Sequence, residues 1–382
     1  MKIDLAFPVL PPTLDGIGDH TAHLARALAS EGCTVRVLTA QEEWTPLRGV
    51  EVQRAFHLHR RRGILELIDL YRSRPHPDWL LLQFEQFSYG RWGLNPFLPL
   101  ALRQIKRIAP ATKIAVMFHE DYMPAHSIKS AIMSSWQRLQ FHAIGRIADL
   151  ALFSTAPWVD AYADWFPNTK TTHLPVGSNL PHIDTEASAV RAHLGLSPET
   201  LVLGFFGSAH PSRLLEHVAA AADACRAHHP TVAVLYIGPH GDRVKGTLGP
   251  EANVLDLGPL PADAVSAHFA AMDLYLAPYD QGVSTRRGAF LSGLQHGLPT
   301  VSTSGSETGA ILRQHEGIAF TLSPWSRSDV FANTVITLSN DLSKRRTMGQ
   351  AGQKLYATTF DWPIIAGRLL THLTPQSETA VV

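Results

Sequence analysis

The chain has 382 residues, of which 45% are hydrophobic and 17% charged, enough apolar material for two domains and too little charge for extended disorder. Lys plus Arg and Asp plus Glu both number 33, so the formal net charge is zero, which argues against a nucleic-acid protein built on a large basic face. The two cysteines, Cys33 and Cys225, fit neither a disulfide framework nor a zinc site, and with no leader-like or spanning apolar run the expectation is a cytoplasmic protein.

The first predicted strand covers residues 3–7. The loop after it carries Gly16 and Gly18, where backbone can approach a ligand without a Cβ clash, and Asp19 or Thr21 is placed to cap the helix predicted over 21–30. A dinucleotide fingerprint needs a third glycine and an acidic residue after the second strand, and both are missing. A tight turn without a ligand is the plain alternative. Further strands are predicted over 34–38 and 79–83. Between them the basic run His57 to Arg62, with Arg72 and Arg74, reads either as a solvated face or as weak peripheral contact with anionic lipid at the inner face of a membrane. Aromatic and polar residues then mix from Gln83 to Gly93. Glu85 and Tyr89 there suit a sugar ring or another flat acceptor, with a core edge as the alternative. The strand predicted over 113–118 ends at His119-Glu120-Asp121, where polar side chains project from a carboxyl end. His119 can donate to a substrate hydroxyl there, and Glu120 or Asp121 can accept. A strand over 150–153 closes this half.

Two prolines and a glycine mark a join near Leu174 to Pro181, giving domains over 1–178 and 179–360, with a last segment over 361–382. Strands in the second half are predicted over 201–206, 232–237, 253–257, 274–277 and 299–302, and a helix over 214–227. Gly207 and Ser208 follow the first of these strands, with Arg213 near the next helix start, an arrangement that suits a phosphate. The loop after the strand over 274–277 carries Gly282, Gly288 and the adjacent Arg286 and Arg287, and it enters a helix predicted over 289–296 that Gly297 stops. Loop amides, a helix N-terminus and arginines make an anion site, and a solvated basic turn is the alternative. A final helix is predicted over 364–373 with Pro363 in its first turn, and a frayed tail from Pro375.

Strands alternating with helices in both halves predict an α/β protein of two Rossmann-like, doubly wound domains, with ligand expected at the cleft they face. No pair or cluster of side chains specifies a metal.

In their order these pieces resemble the retaining GT-B glycosyltransferases of family 4, over nearly the whole chain. The stretch Gly16 to Leu28 resembles that family's glycine loop and first helix, and His119 its donor-sugar histidine. Gly207 and Arg213 fall where the family has a Gly-Arg pair and then a lysine, with Ser208 in place of the arginine. Asn253 to Gly258 resembles the strand and loop bordering the nucleotide base, and His296 to Val301 the end of the donor site. Phe360-x-Trp362 resembles the segment whose helix crosses back to the first domain. The resemblance implies a nucleotide-sugar donor, a glycan or lipid-linked acceptor in polysaccharide or glycoconjugate synthesis, no metal and no other cofactor. With no metal motif, Arg213 and Arg286 or Arg287 are expected as phosphate clamps, with Gly282 and Ser284 along the donor loop and Glu85, Tyr89 and Glu120 toward the acceptor. The family's two glutamates, eight positions apart, are Ser284 and Ser292 here, and the second usually holds ribose hydroxyls. That departure keeps a binding-only protein open as an alternative, beside a sugar-nucleotide epimerase on the same fold.

Overall fold

The computed structural model describes residues 1–60, 62–73 and 75–374. Arg61 and Arg74 of the basic stretch, and the tail from Pro375, lie outside the described residues. The chain divides into two compact units, one made of residues 1–175 with the segment from Trp362, the other of Val176–Asp361.

The first unit holds seven strands: β1 (Lys2–Ala6), β2 (Thr34–Thr39), β3 (Val50–Arg54), β4 (Trp79–Phe84), β5 (Lys113–Phe118), β6 (Leu150–Phe153) and β7 (Lys170–His173). They pair in the order β3-β2-β1-β4-β5-β6-β7, every pair parallel. Parallel neighbours need crossover connections, and helices covering both faces explain why all six residues of β4 are buried. The second unit holds β8 (Leu201–Phe206), β9 (Val232–Ile237), β10 (Val254–Asp256), β11 (Leu274–Ala277), β12 (Thr300–Ser304) and β13 (Thr321–Pro324). Their order is β10-β9-β8-β11-β12-β13, again all parallel. Two doubly wound parallel sheets are the architecture that the alternation of strand and helix predicts.

Three strands, β3, β7 and β13, are absent from the sequence prediction, and each is a sheet edge. An edge strand has one neighbour and a half-wet face, so none of the three is a continuous apolar run (VEVQR, KTTH, TLSP).

In each sheet the winding reverses once, between β1 and β4 and between β8 and β11. Connections leaving these neighbours diverge to opposite faces, so the loops at their carboxyl ends border a crevice. Each sheet has its own core. In the first unit Phe118 stacks on Phe153 and Phe166 with ring centroids 5.4 and 5.9 Å away. The last helix, Trp362–Leu373, packs on the first helix, Gly16–Ser30, and its Leu373 carbonyl accepts from the indole of Trp79 at 3.0 Å. The second unit packs Phe205, Tyr236 and Leu276 between sheet and helices. Burying one such side chain contributes roughly 1.5–3 kcal/mol.

The helix Gly288–Gln295 lies close on β11, and Gly293 permits it: a Cβ there would sit 2.3 Å from the Tyr275 ring. Gly246, inside the helix Gly241–Leu248, has nothing within 4 Å of an added Cβ. Gly293→Ala should therefore destabilise by about 1–3 kcal/mol. Gly246→Ala should stabilise by up to about 1 kcal/mol. Urea denaturation of the two variants checks the contrast.

Candidate functional site

Each unit places a group of polar side chains at the carboxyl ends of its strands. In the first unit the helix Gly16–Ser30 starts five residues before its predicted start at Thr21 because Asp15 caps it. The Asp15 backbone is extended, and its carboxylate accepts from the N–H groups of Ile17 and Gly18 at 2.9 and 2.8 Å. Gly16 and Gly18 thus form the first helical turn rather than a free loop, and neither Asp19 nor Thr21 is the cap. The Thr21 hydroxyl donates back to the Ile17 carbonyl at 2.7 Å. Gly18 is required by packing, since a Cβ would meet the Val9 carbonyl oxygen at 2.7 Å, while Gly16 is exposed. Burial, and then the charge of Asp15, raise the Asp19 carboxyl to about 6 against the opposing pull of Arg26.

One step along the same turn, His20 is 2% exposed and neither ring nitrogen has a hydrogen-bond partner among the described residues. Its ring stands edge-on to His119 at 4.8 Å and to Trp362 at 5.0 Å. His119 follows β5, and its Nε2 lies 2.7 Å from Oε1 of Gln83, a buried residue of β4. With that oxygen accepting, the proton sits on Nε2 and Nδ1 presents a lone pair. In that tautomer the remaining ring nitrogen can only accept, where the sequence suggests a donor. Burial pushes His119 down to about 3 and His20 well below the ordinary range, so both rings are neutral near neutral pH.

The residues expected to face an acceptor divide. Glu85 caps the short helix Gln86–Tyr89, accepting from the N–H groups of Phe87 and Ser88 at 3.0 and 2.8 Å and from the Ser88 hydroxyl at 2.8 Å. Tyr89 is a core residue, 1% exposed, its hydroxyl donating to the Gln83 carbonyl at 2.8 Å and lying 3.1 Å from that of Ala6. It braces β1 and β4 at the reversal point and presents no face to a ligand. Glu120 is half-buried beside His119.

In the second unit the loops after β8 and β11 meet at the reversal point. Arg213 and Tyr279 form an isolated antiparallel bridge. Arg213 is 5% exposed and lies over the rings of Phe205 and Tyr279 at 4.5 and 4.4 Å. Its guanidinium donates to the Tyr279 hydroxyl and, at 3.1 Å, to the Phe206 carbonyl. Its Nε is buried without an acceptor, and no carboxylate among the described residues pairs with it. Arg287 lies over the same Tyr279 ring at 4.8 Å. Arg286 is held differently, donating through one nitrogen to both Glu307 oxygens at 2.7 and 2.6 Å.

The loop carrying these arginines rests on the end of β12. The N–H groups of Tyr279 and Val283 donate to the hydroxyl and carbonyl of Thr303, both at 2.8 Å. Gly282, at φ +86°, lies against Gly305, whose nitrogen would be 2.2 Å from an added Cβ. The Ser284 hydroxyl is fully buried, with no partner among the described residues. Arg287 is the N-cap of the helix Gly288–Gln295, and no side chain caps it. The N–H groups of Gly288 and Ala289 have no acceptor among the described residues. Gly207, at φ +102°, comes beside them, where its Cβ would be 3.5 Å from that of Ala289, and Ser208 is exposed next to it. Gly258, at φ +65°, accepts from the Gly238 N–H at 3.0 Å after β10. Ser292 is turned inward, its hydroxyl donating to the Gly288 carbonyl at 3.0 Å and paired with the Ser178 hydroxyl at 2.8 Å.

The structure therefore brings Gly207, Arg213, Gly282, Ser284, Arg286 and Arg287 to one end of the second sheet, beside an uncapped helix start. This can hold a dianion. Tyr279, Glu307, Gln83 and His20 are contributors that sequence reasoning missed. Tyr279 had one signal, its place directly after the strand-ending Pro278. Among the described residues no group of three His, Cys, Asp or Glu side chains is placed to hold a metal ion.

No family model matches the sequence, and no curated protein does. Solved structures match along nearly the whole chain. Sucrose-phosphate synthase from Thermosynechococcus elongatus superposes with a TM-score of 0.73 at 18% identity, covering 98% of this chain and 99% of that one. HepE of Anabaena, solved with UDP and glucose, gives 0.70 at 17% over 98% and 99%. WaaG, a glycosyltransferase of lipopolysaccharide biosynthesis, gives 0.68 at 14% over 98% and 100%. The chain has the GT-B fold of these proteins.

The buried histidines set a sign for acid stability. His119 at about 3 in the folded chain lies below its ordinary 6.5, so the unfolded chain takes up the proton first and stability is lost as pH falls from 6.5 toward 3. His20 acts in the same direction. Asp19, raised from 3.8 to about 6, acts oppositely, adding stability as pH falls through that window. Melting temperature should fall from pH 6.5 to pH 4, and His119→Gln should flatten the fall; an equal slope in the variant would remove His119 as its source.

Proposed function

We propose that the chain is a glycosyltransferase that moves a sugar from a nucleotide-sugar donor to a glycan or lipid-linked acceptor, with retention at the anomeric carbon and without a metal. The observation that carries the reading is the arginine group at the β8–β11 reversal point beside the uncapped start of the helix Gly288–Gln295. Transfer breaks the bond between the anomeric carbon and the diphosphate oxygen, forms one to an acceptor hydroxyl oxygen, and releases the hydroxyl proton to the departing phosphate or to water. The transition state carries positive charge on the sugar and gathers negative charge on the diphosphate. Groups already aimed at the leaving oxygens lower its energy without reorganising.

Arg213 and Arg287 stand as the phosphate clamps, with the N–H groups of Gly288, Ala289 and the Gly207–Ser208 turn. Arg286 is a positioning residue, because its guanidinium is engaged by Glu307. Ser284 lines the donor loop with its hydroxyl buried behind it. The family resemblance assigns His119 to the donor sugar and the loop at Gly258 to the base. Ser292, tied to Ser178 and Gly288, is a poor ribose ligand, so diol recognition passes to other groups. Support for a nucleoside diphosphate comes from HepE, solved with UDP and with UDP-glucose. Support for a glycan acceptor comes from WaaG.

Thermal melting with UDP, GDP, dTDP and ADP and their sugars tests the reading. One nucleotide should raise the melting temperature, since a ligand at a hundredfold its dissociation constant adds about 2.7 kcal/mol. Arg287→Ala should abolish that shift and lower turnover by about a hundredfold or more, with little change in the unliganded melt. Arg286→Ala should lower the unliganded melt itself, because it removes the charged hydrogen bonds to both Glu307 oxygens, at a cost of about 1.5–3 kcal/mol. Binding without transfer across an acceptor panel would favour a binding-only protein, and isomerised donor without acceptor an epimerase.

A further inference from the structure

The first unit carries a surface that the catalytic reading does not use. The helix Ile128–Ile147 is built with its polarity partly reversed. Its inward face holds Gln137 and Gln140, both buried, which bond backbone groups of neighbouring loops. Gln137 accepts from the Met123 N–H at 2.8 Å and donates to the Trp92 carbonyl at 3.1 Å, and Gln140 accepts from the Asn95 N–H at 2.7 Å. Its outward face holds Ile128, Ile132 and Leu139, exposed by 84%, 54% and 72%. Ile128, Ile132 and Trp136 follow one another at a spacing of four and Leu139 three later, so they form one stripe. Trp92, itself 49% exposed, stacks on Trp136 at 6.4 Å and joins the stripe. Trp92 holds a left-handed backbone, φ 60°, costly for a bulky residue, and the Trp136 indole and Gln137 amide both donate to its carbonyl to keep it there.

Charge singles out the same region. From residue 85 to residue 149 there are eight cations, Arg91, Arg103, Lys106, Arg107, Lys113, Lys129, Arg138 and Arg146, and four acids, Glu85, Glu120, Asp121 and Asp149, a net of +4 in a chain whose total is zero, with Lys106 tied to Asp149 at 2.8 Å. Asp121 accepts from the Tyr162 hydroxyl at 2.8 Å. The stripe itself has Lys129 and Arg91 beside it and no acid on its helix. Seven of the twelve large hydrophobic residues found exposed fall in this same stretch. A protein partner would be expected to bring matching apolar pockets. Scattered aliphatics, paired indoles and a one-signed rim instead fit a fluid, negatively charged, half-apolar surface. No helix among the described residues is long and apolar enough to cross a membrane, so the contact is one of lying on the surface.

We propose that the outward face of the helix Ile128–Ile147, with Trp92, docks the protein on an anionic lipid bilayer. This stands apart from the transferase reading and from the basic run near His57.

Sedimentation of the full chain with vesicles tests it. The protein should pellet with mixed phosphatidylglycerol and phosphatidylcholine and stay in solution with phosphatidylcholine alone, and added salt should weaken the binding. The triple variant Ile128→Ser, Ile132→Ser, Leu139→Ser should bind about tenfold more weakly or worse with an unchanged melting temperature. Arg91→Gln and Lys129→Gln should each cost about fivefold. The proposal is overturned if the anionic vesicles leave the protein in solution, or if the triple variant binds as the parent does. It is equally overturned if the parent is a dimer that the triple variant dissolves, since a second copy would then cover the face.

Discussion

The candidate site of the second unit depends on one aromatic ring. Tyr279 stands where the winding of the sheet reverses, bonded through its backbone to Thr303 at the end of β12 and bridged to Arg213 from the loop after β8. Two guanidinium groups, those of Arg213 and Arg287, lie over this ring. Like charges gathered this way repel, and the ring's electron-rich face offsets part of that. The tie through Tyr279 fixes the two diverging loops as one surface, so the arginines are set in place before any ligand arrives.

The first unit follows the opposite electrostatic rule. Where the second gathers fixed charge, the first buries its titratable groups until they lose theirs. Burial holds His20 and His119 toward the neutral form, and Asp19 is brought toward neutrality by the same burial. A neutral imidazole locked by Gln83 is a directional hydrogen-bonding group, well suited to a hydroxyl and poorly suited to a phosphate. The two constellations therefore differ in the chemistry they can recognise, one a dianion and the other an uncharged polar group.

The inner strands were legible because a strand covered on both faces must be a continuous apolar run, as in Trp79–Phe84 and Val232–Ile237. Three of the four edge strands were not, because half their surroundings are water, while the fourth, β10, was read over 253–257. The start of the first helix was misplaced by reading Gly16 and Gly18 as loop formers, when Asp15 two residues earlier than Ile17 supplies the cap that lets glycines begin a helix. In the candidate site the arginine loop was legible from local spacing. What each arginine does was not. Arg286 and Arg287 are neighbours in sequence, yet one is claimed by Glu307, 21 residues on, and the other by a ring eight residues back. Tyr89 was misread for the same reason: an aromatic among polar neighbours looks like a ligand contact until the carbonyls of Ala6 and Gln83 are found to enclose its hydroxyl.

The first unit is completed by the last helix of the chain, with Trp362 against the ring of His20 and Leu373 capped by the indole of Trp79. During synthesis this unit begins to emerge first and is finished last. The second unit, whose residues are contiguous, has all its parts as soon as Asp361 is out. Between the two events the second unit has all its residues while the first still lacks the helix that packs on Gly16–Ser30. The surroundings that keep His20 neutral therefore include a side chain that reaches it only after the whole second unit has been made.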